Sequence, residues 1–241
     1  MAFTMRLAPV YLFREFINTK LDETATPLEK KILDCGAGGV QPPLALFYES
    51  GYETHGIDLS EEQIKCAEAF GREHKMELNI RLGDVRDIPF ADETFSFVYE
   101  FYSICHLNKR DTGIAIREML RVLKRGGYGF LGFMSADTWP LEGRDVGKGE
   151  YQQLEDGELV LHSAYTDAEA DPYFAAVDIV LKEKRTFWYR DVMARLPKEE
   201  WEAVWQEDWT NYSKETWGGM YEERLARGCY AHLYYTVRKP Q

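Results

Sequence analysis

Residues 32–39 read Ile-Leu-Asp-Cys-Gly-Ala-Gly-Gly, and Asp58 closes a second short apolar run twenty residues after Gly38. A glycine-rich turn one βαβ unit ahead of a lone strand-end carboxylate points to a nucleoside-bearing cofactor. Gly36 and Gly38 let the backbone turn sharply and approach a ligand closely. A dinucleotide site wants a third glycine so that pyrophosphate can sit on a helix N-terminus, but that place is taken by Gln41. Pyrophosphate, and with it a nicotinamide oxidoreductase, is the weaker reading. A second acidic turn, Gly83-Asp84-Val85, follows, and then the run Tyr99-Glu100-Phe101-Tyr102-Ser103-Ile104-Cys105-His106. His106 is the leading base, because an imidazole with an ordinary pKa near about 6.5 accepts a proton at neutral pH. A histidine in such a place also caps helices or satisfies core polar groups, and an Asp after a strand also caps helices or forms turns.

These groups need a scaffold, and the alternation of strand-like and helix-like segments from Lys31 to Ser135 predicts an α/β fold with an open, mostly parallel sheet. Strands are expected at 31–35, 54–58, 78–82, 95–99 and 128–134. Pro42 and Pro43 suit a helix start, Ser60-Glu61-Glu62-Gln63 fits a capping box for a helix running toward His74, and Asn108 starts a helix that Gly126-Gly127 ends. Candidate active groups belong after the fourth strand, at the carboxyl edge of the sheet. The Gly-rich, acidic stretch 141–157 reads as a loop or lid over the sheet. Residues 178–189 and 230–237 read as two final strands, interrupted by a helical insertion in which Trp201, Trp205 and Trp209 recur every fourth position.

The organisation expected is one domain: a helical N-terminal cap over 1–30, a cofactor-binding α/β core over 31–135, and a completion of the sheet with lid and helical insertion over 136–241. With 241 residues the chain can bury a substantial core. No apolar run approaches the roughly 20 residues that span a bilayer, and no signal peptide is read in Met1–Lys20, where Pro9 interrupts a brief apolar patch. A cytoplasmic protein is expected. Cys35, Cys66, Cys105 and Cys229 lack zinc or disulfide spacing, so neither a metal nor a disulfide framework is expected. The net charge is -12, divided as -4 up to Ser135 and -8 beyond it, and no basic cluster offers a grip on phosphate backbones. Nucleic acid and membrane are therefore not the expected partners, and the acidic second half keeps a cationic small molecule open.

The spelling Asp34-x-Gly36-x-Gly38, with Asp58, Gly83-Asp84-Val85, Asp87-Ile88-Pro89-Phe90 and Met119–Gly127 in order, resembles class I S-adenosylmethionine-dependent methyltransferases of the small-molecule type. The resemblance covers roughly 31–135. It implies a Rossmann-like open sheet of about seven strands with flanking helices, the last two forming an edge hairpin. It also implies S-adenosylmethionine as cofactor and S-adenosylhomocysteine as product. Gly36, Ala37 and Gly38 would follow the methionine portion, and Asp34 would hold the turn or the ammonium group. Asp58, with Leu59 beside it, would meet the ribose hydroxyls, a task suited to a carboxylate with several acceptor sites. Asp84 and Val85 would meet adenine. Glu100 and Phe101 would border the cofactor, with the Glu100 carbonyl near its ammonium, and Arg14 would pair with its carboxylate unless it simply belongs to a surface helix. His106 or Tyr102 would position or deprotonate an oxygen or nitrogen nucleophile of a small-molecule acceptor. Departures are Val40 where the family often has glycine and Arg125 where it has proline. A cofactor-binding regulatory or scaffold protein without catalysis is the rival reading, and the oligomeric state is not legible.

Overall fold

The computed structural model describes residues 8–21, 28–141, 143–155, 158–193 and 214–241. Five strands, β1 (Lys31–Cys35), β2 (Glu53–Asp58), β3 (Ile80–Leu82), β4 (Phe95–Tyr99) and β5 (Leu123–Ser135), pair in parallel in the order β3-β2-β1-β4-β5. The helices among the described residues are α1 (Ala8–Lys20), α2 (Ala45–Tyr48), α3 (Glu61–His74), α4 (Lys109–Val122), α5 (Asp167–Ala170), α6 (Tyr189–Met193) and α7 (Lys214–Arg227). Strand order reverses between β1 and β4, so their crossovers lie on opposite faces and leave a crevice at their carboxyl ends.

The sheet is a filled middle layer because successive strand residues point to opposite faces. In β1, Ile32 joins Phe97, Tyr99, Phe130 and the α1 residues Val10, Phe13 and Ile17 on one face. Leu33 joins Ile116, Met119 and Val122 of α4, together with Leu131 and Phe133, on the other. Phe13 stacks on Phe130 at 5.2 Å and so clamps α1 to the sheet.

Three expectations are corrected. The sheet has ten strands among the described residues rather than about seven. Seven form the expected core, in which β10 (Cys229–Arg238) runs antiparallel to β5 and β9 (Asp178–Trp188) antiparallel to β10. The other three come largely from the stretch expected to be a loop. There β6 (Arg144–Gly147), β7 (Glu150–Glu155) and β8 (Glu158–Tyr165) form an antiparallel ribbon, which joins the main sheet where Met134 and Ser135 of β5 pair with Ala164 and Tyr165. Glycines in that stretch make its turns: Gly147, Lys148 and Gly149 all have positive φ, which reverses the chain between β6 and β7. Secondly, α4 ends at Val122 rather than at Gly126-Gly127. Leu123 is already extended, and the glycines lie within β5, where Gly126 N–H donates to the Lys239 carbonyl and Lys239 N–H donates to the Gly127 carbonyl. Thirdly, the Ser60 capping box is half made: Ser60 Oγ accepts from Gln63 N–H, but the Ser60 N–H goes to Asp58 Oδ1.

The edge hairpin is interrupted as expected, by α6 and α7 between β9 and β10. Trp201, Trp205 and Trp209 lie outside the described residues. Tyr165, Tyr173 and Trp188 lie in two different surroundings. The first two pack with Phe133 in the core, whereas Trp188 is partly exposed at the end of β9 under the Arg190 guanidinium. All four cysteines are free thiols, three of them buried.

Candidate active site

The crevice at the carboxyl ends of β1, β2 and β4 holds a cavity of about 480 Å³. The glycine turn supplies Gly36 and Gly38 to its wall, β2 and its exit supply Asp58 and Leu59, and the loop after β3 supplies Asp84 and Val85. Tyr102 and His106 enter from the loop after β4. Groups separated by seventy residues of sequence thus converge on one space.

Two glycines are required by close approach. Gly36 has φ +109°, and a Cβ there would stand 2.5 Å from Ser103 Cβ. A Cβ on Gly38 would stand 2.6 Å from Asp58 Oδ2 and 2.5 Å from Gln63 Cβ. With no Cβ, the Gly38 N–H reaches Asp58 Oδ2 at 2.8 Å while Oδ1 accepts from Ser60 N–H at 2.9 Å. The Asp58 carboxylate therefore ties the glycine turn to the start of α3. A carboxylate offers about four acceptor sites, so each oxygen retains capacity toward the cavity.

Asp84 faces the cavity within a fork made by Arg86, which bonds both carboxylate oxygens and reaches on to Asp111 at 2.9 Å. The guanidinium holds the Asp84 carboxyl below the usual carboxylate range. The turn bond from Asp87 N–H to the Asp84 carbonyl is present as well.

Several expected site residues stand behind the cavity rather than on its wall. Asp34 is 1 % exposed; Tyr99 Oη donates to its Oδ2 at 2.6 Å, and its Oδ1 has no partner. Burial pushes its pKa up to about 8, against the Tyr99 hydrogen bond and with help from the negative Glu100 and Asp58. Ala37 is fully buried in the core below the turn. Glu100 is fully buried: Oε1 accepts from Gly132 N–H, and Oε2 from the N–H groups of Ser103 and Ile104. Burial raises its pKa to about 7 despite those bonds. Glu100 thus fastens the loop after β4 to β5. Phe101 packs against Tyr102 at 4.2 Å. Arg14, on α1, bonds the Glu15 carboxylate and lies over the Tyr11 ring; it is not part of the cavity wall.

His106 closes a 3₁₀ turn, Ile104–His106. Its Nδ1 lies 3.3 Å from the Leu161 carbonyl on β8. A carbonyl only accepts, so that contact places the proton on Nδ1 and makes Nε2 the accepting nitrogen. Tyr102 has φ +65°, and its ring stacks on Tyr230 of β10 at 6.4 Å and meets His232 edge-on at 4.8 Å.

The structure adds residues that sequence reasoning passed over. Ser103 Oγ donates to the Cys35 carbonyl at 2.6 Å and lies on the cavity wall beneath Gly36. Gln63 also lines the cavity, one helical turn into α3, and so does Arg86. The spacing Asp84-x-Arg86 was legible as a charge pair in sequence, whereas His162 and Tyr230, which touch His106 and Tyr102, carried no local signal.

With this geometry in view, residues 33–131 match the family described as "Methyltransferase domain". A norajmaline N-methyltransferase of Rauvolfia serpentina is 32% identical over 113 residues, covering 46% of this chain and 37% of that protein. An O-methyltransferase of Aspergillus sclerotiorum is 30% identical over 125 residues, covering 51% and 45% respectively. The chain thus spans less than half the length of these curated relatives. Among solved structures, a protein of Pyrococcus horikoshii OT3 superposes with TM-score 0.63 at 18% identity, over 99% of this chain and 91% of that one. A phosphoethanolamine N-methyltransferase 2 of Haemonchus contortus, solved with S-adenosyl-L-methionine, gives 0.57 at 15% identity over 99% and 53%. At such identities the structural likeness speaks for the fold. The fold is Rossmann-like, and residues 33–131 are similar to methyltransferase domains.

Proposed function

We propose that this protein binds S-adenosylmethionine in the crevice cavity and transfers its methyl group to an oxygen or nitrogen nucleophile of a small molecule. The observation that carries the reading is the convergence of Gly36, Gly38, Asp58, Asp84 and Val85 with Tyr102 and His106 on one cavity at the sheet's reversal point. The residues fit the cofactor. Asp58 keeps acceptor capacity for a pair of ribose hydroxyls, while Asp34 stands behind the wall with a buried Oδ1 that has no partner. Val85 and Asp84 offer an apolar side and an acceptor to adenine. Arg14, already engaged by Glu15, belongs to this proposal only as a group near α2.

The bound cofactor supplies an electrophilic methyl on a sulfonium, so the protein's task is alignment and proton removal. Gly36 and Gly38 allow the close approach, and Glu100 holds the loop that carries Tyr102 and His106 in place. With the cofactor bound, its sulfonium would supply the methyl and keep the electron pair of the broken carbon–sulfur bond, and Nε2 of His106 would take the nucleophile's proton. Methyltransferase relatives acting on nitrogen and on oxygen both support the class and leave either acceptor atom within it.

Calorimetric titration with S-adenosylhomocysteine tests this. The wild type should bind, and Asp58→Ala should lose roughly 1.5 to 3 kcal/mol, as for hydrogen bonds to a charged group. Equal affinity in the two proteins would overturn the ribose assignment. Binding without turnover across a panel of phenols and amines would favour a non-catalytic binding protein.

A further inference from the structure

Resting on the methyl-transfer reading, we infer that a second, smaller cavity beside the first is the seat of the methyl acceptor, and that the acceptor is an uncharged single-ring phenol. The cavity measures about 140 Å³ and is walled by Met134 at the end of β5, Tyr151 and Gln153 of β7, His162 of β8, Tyr189 of α6 and Tyr230 of β10. It exists because of the β6–β8 ribbon, the part of the chain least like a common methyltransferase core.

Position is the first argument. Two side-chain pairs join the walls of the two cavities: the Tyr102 ring stacks on Tyr230 at 6.4 Å, and the His106 and His162 rings meet at 4.8 Å. Tyr102 and His106 belong to the wall of the cofactor cavity, Tyr230 and His162 to that of the smaller one. An acceptor seated in the smaller space presents its nucleophile where the two walls meet, beside the imidazole that takes the proton. His106 is fixed there by the Leu161 carbonyl, one residue from His162, so the base and the acceptor wall are set by the same strand.

Size is the second argument. A cavity of about 150 Å³ takes one benzene ring, so this one has room for a single ring. Chemistry is the third. The walls among the described residues carry no Lys, Arg, Asp or Glu that would repay the desolvation of a carboxylate or phosphate. His232, 4.4 Å behind Tyr230, is kept neutral because burial lowers its pKa to about 3. Aromatic rings suit the body of a phenol, since such pairs add stabilisation beyond area burial. The Gln153 amide and the imidazoles suit its hydroxyl, and that hydroxyl loses its proton to Nε2 of His106 as the aryl oxygen–methyl bond forms.

The test is calorimetry with phenol and with benzoate in the presence of saturating S-adenosylhomocysteine. Phenol should bind the wild type, and benzoate at least tenfold more weakly. Gln153→Trp, on a half-buried ribbon position, should fill the cavity and weaken phenol at least tenfold while leaving S-adenosylhomocysteine affinity within twofold. Undetectable phenol binding, benzoate binding as well as phenol, or indifference of phenol to Gln153→Trp would each overturn the inference while leaving the cofactor reading intact. Failure of S-adenosylhomocysteine to bind the wild type would overturn that reading and this inference together.

Discussion

Asp58 is the residue on which the site turns, because it makes two backbone bonds and still faces the cavity. Its reach to the Gly38 N–H depends on the missing Cβ, which would otherwise lie 2.6 Å from the carboxylate. Gly38→Ala therefore has to push the turn away from Asp58 or displace Gln63, and neither leaves the cavity wall in place. The expected outcome is a loss of S-adenosylhomocysteine affinity of at least tenfold, about 1.4 kcal/mol or more, with far-ultraviolet circular dichroism unchanged. Equal titration curves for variant and wild type would show that the turn is not in contact with the ligand. The partner device is Ser103, whose Cβ occupies the space that a side chain at Gly36 would need. Glycine and serine are a matched pair across 67 positions, a relation invisible to either residue's neighbours.

At the scale of elements, the main sheet and the ribbon differ in how firmly they are held. β1, β4 and β5 are buried almost throughout, whereas every residue of β6 is exposed. The ribbon is anchored by a few bonds to the start of α4: the Lys109 N–H to Glu150 Oε1 at 2.9 Å and Ser163 Oγ to the Leu107 carbonyl at 2.6 Å. Local opening follows burial and backbone protection. Amides of β6 and β7 should thus exchange hydrogen well before those of β1, β4 and β5. Binding of S-adenosylhomocysteine should slow exchange in the loop after β4 more than in β6. Mass spectrometry of deuterium uptake reads both, and uniform protection of ribbon and sheet would refute the division.

Over the whole molecule, two buried carboxyls make stability depend on pH in an unusual direction. Asp34 is raised to about 8 and Glu100 to about 7, chiefly by burial. Both values exceed those of the unfolded chain, about 3.9 and 4.3. The native state thus binds more protons than the unfolded state between those limits, and stability falls as pH rises through the window. The favourable contribution is complete below about 4 and gone above the folded values. Urea midpoints should fall between pH 5 and pH 8.5, and Asp34→Asn should flatten that fall by removing the larger shift. A midpoint difference between wild type and variant that does not change with pH would sink the assignment. Cofactor binding acts on the same scale: ligand at about 100 times its dissociation constant should add about 2.7 kcal/mol of stability, read as a raised Tm.

The sequence alone determined the cofactor half, because its signals are local. Strand ends, glycine turns and strand-end carboxylates recur at fixed offsets within one βαβ unit, and β1, β2, β4 and α3 fall within a residue of where periodicity and capping put them. The three added strands were not legible, since a Gly-rich acidic stretch reads as loop until a partner strand satisfies its backbone groups. The same limit applied to side chains. Asp34, Ala37 and Glu100 sit beside the right motif yet stand behind the cavity wall, and only the packing of β4 against β5 reveals Glu100 as an internal tie. Local spacing brings the glycine turn to Asp58, but His106 meets His162 and Tyr102 meets Tyr230 only because β8 and β10 fold back onto β5. Those long-range pairings, enforced by burial and by the backbone ladders, decide the shape of the space beside the crevice cavity.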